Sequence, residues 1–72
     1  MLASNMNWND FQNLIGKLCI FTADCSIIPN FNVKGIVKSV TYKNNEYLIF
    51  VNVNSKTIEI GSNMFKLNIE TL

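Results

Sequence analysis

Histidine and arginine are both missing from these 72 residues, and only one proline and three glycines are present. Without histidine the commonest general acid/base is gone, and neither a Ser-His nor a Cys-His nucleophile can be assembled within one chain. Five carboxylates, five serines and two cysteines remain, in no recognised catalytic spacing, so no enzymatic activity is expected. Asp24 beside Cys25 would push that thiol's pKa up, the wrong direction for a nucleophile. Two cysteines cannot supply the four ligands of a structural zinc site. Three isolated glycines make neither a P-loop nor a dinucleotide fingerprint, so no cofactor is expected. The lack of arginine removes the planar fork that grips phosphate and guanine in bidentate fashion, which leaves lysine, backbone N–H groups and hydroxyls for any such contact.

Charge is also scarce. Charged residues make up 15% of the chain and the net charge is +1. The isoelectric point of about 7.8 lies below the value near 9 that marks electrostatic nucleic-acid binders. Strong nonspecific DNA binding is therefore not expected. No apolar run approaches the roughly 18 residues of a membrane span, and MLASNMNWND has neither the basic nor the apolar region of a signal peptide. These absences predict a cytosolic protein without a membrane partner. In that compartment Cys19 and Cys25 read as reduced thiols, one a small core residue and one in a loop; a disulfide between them is the alternative.

What is present suits a small globular domain. Hydrophobic residues make up 49% of the chain, too many for a disordered one. The length allows one domain, residues 1–72, of a size at which a single core supplies roughly 3–5 kcal/mol and self-association often adds to it. Twelve asparagines and six lysines point to A/T-rich codons, as in Firmicutes and their phages.

The first local signal is Asn7, a helix cap with Asp10 at the third helical position and Met6 placed to staple against Phe11. It predicts a helix over 7–15, with Trp8, Phe11, Leu14 and Ile15 on one face and Gly16 as the terminating residue. Beyond Lys17 the period changes to alternation, and five strands follow: 17–23, 33–42, 46–53, 56–60 and 64–71. The stretch 24–32, with Pro29, reads as a loop. KNNE (43–46), Asn54-Ser55 and Gly61-Ser62-Asn63 read as turns. In the second strand Gly35 and a phase shift between Val37 and Val40 predict a bend or bulge of the kind that lets a small sheet close on itself. The fold class is mainly β: a five-stranded antiparallel barrel with a short N-terminal α-helix, its core filled by Trp8 and the five phenylalanines.

The order of these elements and two short stretches resemble the Sm-like and SH3-like small barrels. KGIVKSVTYKNNEYLIF looks like a first Sm motif, through Gly35, Val37, Val40 and Asn45. TIEIGSNMFKL looks like the second, through Gly61 and Asn63. The similarity runs over residues 7–71. It implies a ring of protomers that binds single-stranded, uridine-rich RNA or a small nucleotide at the turns bearing Asn45 and Asn63. Where the family carries an aspartate, a stacking side chain and a basic residue, this chain has Thr41, Lys43 and Ile60. The ring architecture could therefore persist with its RNA chemistry lost.

Binding surfaces remain. Lys34, Lys38 and Lys43 lie near Tyr42 and Tyr47, an arrangement that suits single-strand binding, but the preferred reading is a solvated strand that resists edge-to-edge aggregation. Asn44, Asn45 and Asn63 suit turns, and their amides could also read a base edge or a peptide backbone. The candidate binding residues are thus Lys38, Tyr42, Lys43, Asn44, Asn45, Tyr47, Ser62 and Asn63. The expected function is a non-enzymatic protein-binding module, such as a phage or mobile-element inhibitor of a host defence protein. The alternative is the Sm-like oligomer that binds RNA or a nucleotide.

Overall fold

A computed structural model of the chain describes residues 1–24 and 31–72. A short 3-10 turn (Ala3–Asn5) and a helix α1 (Trp8–Gln12) precede five strands: β1 (Leu18–Ala23), β2 (Phe31–Lys43), β3 (Glu46–Val53), β4 (Lys56–Gly61) and β5 (Asn68–Thr71). All strand pairs are antiparallel, and the strands form one sheet in the order β4-β3-β2-β1-β5. The sheet is open, with β4 at one rim and β5 at the other. Cys25, and with it the choice between reduced thiols and a Cys19–Cys25 disulfide, lies outside the described residues, as does most of the 24–32 loop. Phe31 and Asn32, expected in that loop, belong to β2 and pair with Ala23 and Thr22.

The helix begins as its sequence requires. The Asn7 side chain accepts the Asp10 backbone N–H at 2.9 Å, and the Asp10 carboxylate accepts the Asn7 N–H at 3.0 Å, so two otherwise unpaired donors are satisfied. It ends three residues before the expected Ile15. Leu14 and Ile15 donate to carbonyls only three residues back, Gly16 takes a left-handed φ of 86°, and its N–H bonds the Val37 carbonyl at 2.8 Å. Pairing with β2 has displaced the last helical turn. The expected apolar face splits accordingly: Phe11 and Leu14 are buried, while Trp8 and Ile15 are 44% and 41% exposed.

β2 carries the bend anticipated from its glycine. It pairs with β1 through its first half and with β3 through its second, and its register with β3 shifts between Val37 and Ser39. Lys38 is the extra residue of this bulge, which is why Val37 and Val40 both reach the core although three positions apart. Gly35 is buried, and a Cβ there would lie 2.5 Å from the Asn52 carbonyl oxygen and 2.7 Å from Val51 Cγ1. Only glycine lets β2 and β3 approach so closely.

The turns at Asn44-Asn45 and Asn54-Ser55 both have two positive-φ residues, the conformation whose twist matches antiparallel strands. The last strand is shorter than the expected 64–71. Met64 donates to Gly61 and Leu67 to Met64, while Lys66 adopts φ 55°, so residues 62–66 form successive turns. Phe65 is consequently 65% exposed, not a core residue. One hydrophobic cluster among the described residues, built around Phe11, Phe21, Ile49, Val51, Leu67 and Ile69, packs on one face of the sheet. Fully burying side chains of this size contributes about 1.5–3 kcal/mol each.

The first three residues, for which the sequence suggests no role, extend the sheet. Met1 and Ile69 exchange backbone hydrogen bonds at 2.9 Å in both directions, Leu2 bridges Asn68, and Ala3 donates to the Leu67 carbonyl at 2.8 Å. Among the described residues, no helix is long and apolar enough to cross a membrane.

Candidate functional site

The N-terminal turn, the start of β3 and the β4–β5 connection enclose a groove of about 540 Å³. Backbone chemistry fixes its polar wall. Ser62 donates its N–H to the Tyr47 carbonyl at 2.9 Å, and the Ser62 hydroxyl accepts the Tyr47 N–H at 3.0 Å. Beside them the Glu46 carboxylate accepts the Asn63 N–H at 3.1 Å. It reaches that far by lying over Gly61, where a Cβ would overlap it. Leu2, Met6, Met64 and Phe65 supply the apolar lining, and Lys66 is the one charged residue of the wall.

Four of the eight candidate residues meet here: Asn45, Tyr47, Ser62 and Asn63. The other four do not line the groove. Lys38 sits in the β2 bulge, Asn44 and Lys43 belong to the hairpin, and Tyr42 lies beyond Tyr47 with its ring edge-on at 4.8 Å. Lys34, Lys38 and Lys43 are exposed and form no ion pair among the described residues.

Tyr47 connects the groove to an aromatic surface. Its ring stacks on buried Phe11 at 4.4 Å between centroids, and Trp8 stacks at 6.0 Å. Trp8, 44% exposed, and Tyr42, 52% exposed, therefore continue outward from a fixed Tyr47, while Phe65 stands at the groove's own rim. Lys66 Nζ lies 5.3 Å from the Phe65 ring centre and 3.8 Å from the Asp24 carboxylate. Exposed pairs of this kind contribute little stability. Trp8 and Phe65, expected in the core, are exposed instead, and Leu2, Met6, Met64 and Lys66 line the groove although none is among the expected site residues. A usable signal was present in the crowding of Met64, Phe65 and Lys66 behind a glycine turn.

Burial pushes the Cys19 thiol above its ordinary value, against smaller opposite effects of a Thr71 hydrogen bond and the Lys17 charge. No three of the residues Cys, Asp and Glu gather as a metal site among the described residues. What this arrangement can do is accept a partner's apolar side chain, with amide, hydroxyl and ammonium groups at the margin. No protein-family profile, no curated protein and no solved structure matches the chain.

Proposed function

We propose that this chain is a non-enzymatic protein-binding module whose contact surface is the groove together with Trp8, Tyr42 and Phe65. The observation that carries the reading is an exposed aromatic surface backed by the core: Tyr47 stacks on buried Phe11 and on half-exposed Trp8 and lines the groove itself. Large aromatic side chains around an apolar depression are the usual energetic centres of protein interfaces. The partner we favour is a host protein inhibited by a phage or mobile-element product, a reading supported by the small size and the Asn- and Lys-rich composition. To test it, the immobilised protein is exposed to a low-GC bacterial lysate beside a Trp8→Ala/Phe65→Ala variant of unchanged circular dichroism. Capture of a stoichiometric protein by the first alone supports the reading, and equal or no capture defeats it.

The finer description of the sheet as an Sm- or SH3-like small barrel, open on one side, is part of this proposal. Its support is the strand order, the bulge at Lys38 and the close approach at Gly35. The nucleotide-binding alternative draws on one observation, that Asn45 and Asn63 face the same groove. Against its ring form stands the β5 rim, occupied by Met1–Ala3, because a head-to-tail ring built by continuing the sheet needs both rims free. Fluorescence anisotropy with oligouridine and oligoadenosine at two salt concentrations decides this alternative. Binding abolished by Asn45→Ala favours it, and flat titrations remove it.

A further inference from the structure

The two rims of the sheet differ in a way that bears on self-association. At β5 the outward backbone groups of Ile69 are taken by Met1, and the antiparallel contact continues to Ala3. At β4 no described residue pairs with the outer side. Its free groups follow from the hairpin. Across a two-residue turn the flanking pair, Val53 and Lys56, is hydrogen-bonded, and the alternation continues through Val51–Ile58 and Ile49–Ile60 to the Ser62–Tyr47 bond. Thr57, Glu59 and Gly61 therefore direct their N–H and C=O groups away from β3. Unpaired groups of this kind are a template for another strand.

We infer that two copies of this chain pair through β4, antiparallel, across a two-fold axis at Ile58. Pairing across a two-fold axis uses the same β4 edge on both copies, so this contact closes at two. Outward groups must meet outward groups, which restricts the register to a few choices. An axis at Glu59 would set two carboxylates directly opposite each other, which is unfavourable. An axis at Thr57 would bring in Ser55, whose positive φ places it in the turn. The axis at Ile58 pairs Lys56 through Ile60 of each copy without drawing in the turn. It sets Thr57 opposite the partner's Glu59 on the outer face, where the hydroxyl can donate to the carboxylate. On the inner face it covers the remaining surface of half-buried Ile58 with its own copy.

One strand pair buries less than the roughly 1,200 Å² of a stable interface, so the dimer depends on concentration. This inference does not rest on the groove or its partner. Sedimentation of the recombinant chain from about 10 μM to about 1 mM is expected to show the mass rising from 8.2 kDa toward twice that value. Glu59→Pro removes only an outward N–H, a change an edge strand tolerates, and is expected to hold the protein monomeric. Ile58→Cys faces its own copy in a non-hydrogen-bonded pair, the closer of the two antiparallel spacings and within the reach of a disulfide. It is expected to give a reducible covalent dimer that wild type and Thr57→Cys do not form. A monomer at about 1 mM, a mass beyond two copies, or a folded Glu59→Pro variant that still dimerises overturns the inference. If that proline variant fails to fold, the Ile58→Cys result decides alone, and the absence of its disulfide refutes the pairing.

Discussion

The Glu46 carboxylate lies across Gly61 and accepts the backbone N–H of Asn63, joining the start of β3 to the loop that follows β4. This contact and the reciprocal Tyr47–Ser62 pair hold the polar wall of the groove. A methyl group at position 61 has no room unless the carboxylate moves. Gly61→Ala is therefore expected to release the Asn63 N–H and cost about 1 kcal/mol, the value of one such hydrogen bond. In a domain of this size that lowers Tm by roughly 4–8 °C. In a Glu46→Ala background the same substitution is expected to cost much less, and a double-mutant cycle by thermal melting measures the difference. Additive effects would mean that the two residues do not act through each other.

Gly35 is the harsher case, because the nearest obstacle is backbone. The Asn52 carbonyl oxygen cannot swing aside as a carboxylate can, and Val51 and Val53 close the remaining space. Overpacking of this kind costs about 1–3 kcal/mol or more. Set against a total of roughly 3–5 kcal/mol, Gly35→Ala is expected to abolish the cooperative urea transition or move it near zero denaturant. A midpoint within experimental error of wild type would contradict the close β2–β3 approach.

These two glycines show what the sequence made legible. Gly35 with the phase shift of Val37 and Val40 announced the bulge, Asn7 with Asp10 announced the helix start, and β3 runs from Glu46 to Val53 as its alternation predicts. The misplaced features lie where a local turn or a contact between distant residues overrides the periodic pattern. Alternation of Phe65, Leu67 and Ile69 looks like a strand, but Lys66 in a left-handed turn separates the first from the others. The spacing of Trp8, Phe11 and Ile15 looks like one helical face, yet pairing with Val37 draws Ile15 out of the helix. Part of the candidate site was visible as turn chemistry at Asn45, Ser62 and Asn63. The Leu2 and Met6 side of the groove was not, because only the sheet pairing of Met1–Ala3 with β5 brings it there.

Asn45 offers a way to separate its conformational role from recognition. Its φ of 62°, next to Asn44 at 55°, is a left-handed conformation that costs other residues about 1–2 kcal/mol. Asn45→Ala is expected to destabilise the hairpin by roughly 1 kcal/mol, whereas Asn45→Gly is expected to be neutral or stabilising. If the groove binds protein through its apolar lining, Asn45→Gly retains the partner. Loss of binding in a folded Asn45→Gly variant would assign the amide a direct contact.

Cys19 gives the pH prediction. Its side chain is fully buried, and burial raises the thiol's pKa above the value it has in the unfolded chain. The neutral thiol is thus favoured in the folded state. The stability it contributes is complete below the unfolded-state pKa and is lost as pH rises through the folded one. Stability from denaturant melts is expected to decline at alkaline pH, and Cys19→Ala is expected to flatten that limb while lowering the plateau. Alkylation followed by peptide mapping gives an independent measure: Cys19 is expected to react many times more slowly in the folded protein than in urea. Equal rates would place the thiol at the surface.

Phe65 tests the proposed contact surface with the least structural disturbance. It is 65% exposed, and its ring contacts the Lys66 ammonium from outside the core. Phe65→Ala is expected to change stability by no more than about 0.5 kcal/mol, as surface substitutions do. If Phe65 anchors a partner, the same change costs about 2 kcal/mol of binding, roughly a thirtyfold loss of affinity. Phe65→Leu keeps an apolar side chain at the rim and is expected to recover part of that loss. Titration calorimetry with the captured partner compares the three proteins. A variant that melts several degrees lower would instead give Phe65 a structural role, and unchanged affinity in a stable Phe65→Ala protein would move the contact surface away from the groove.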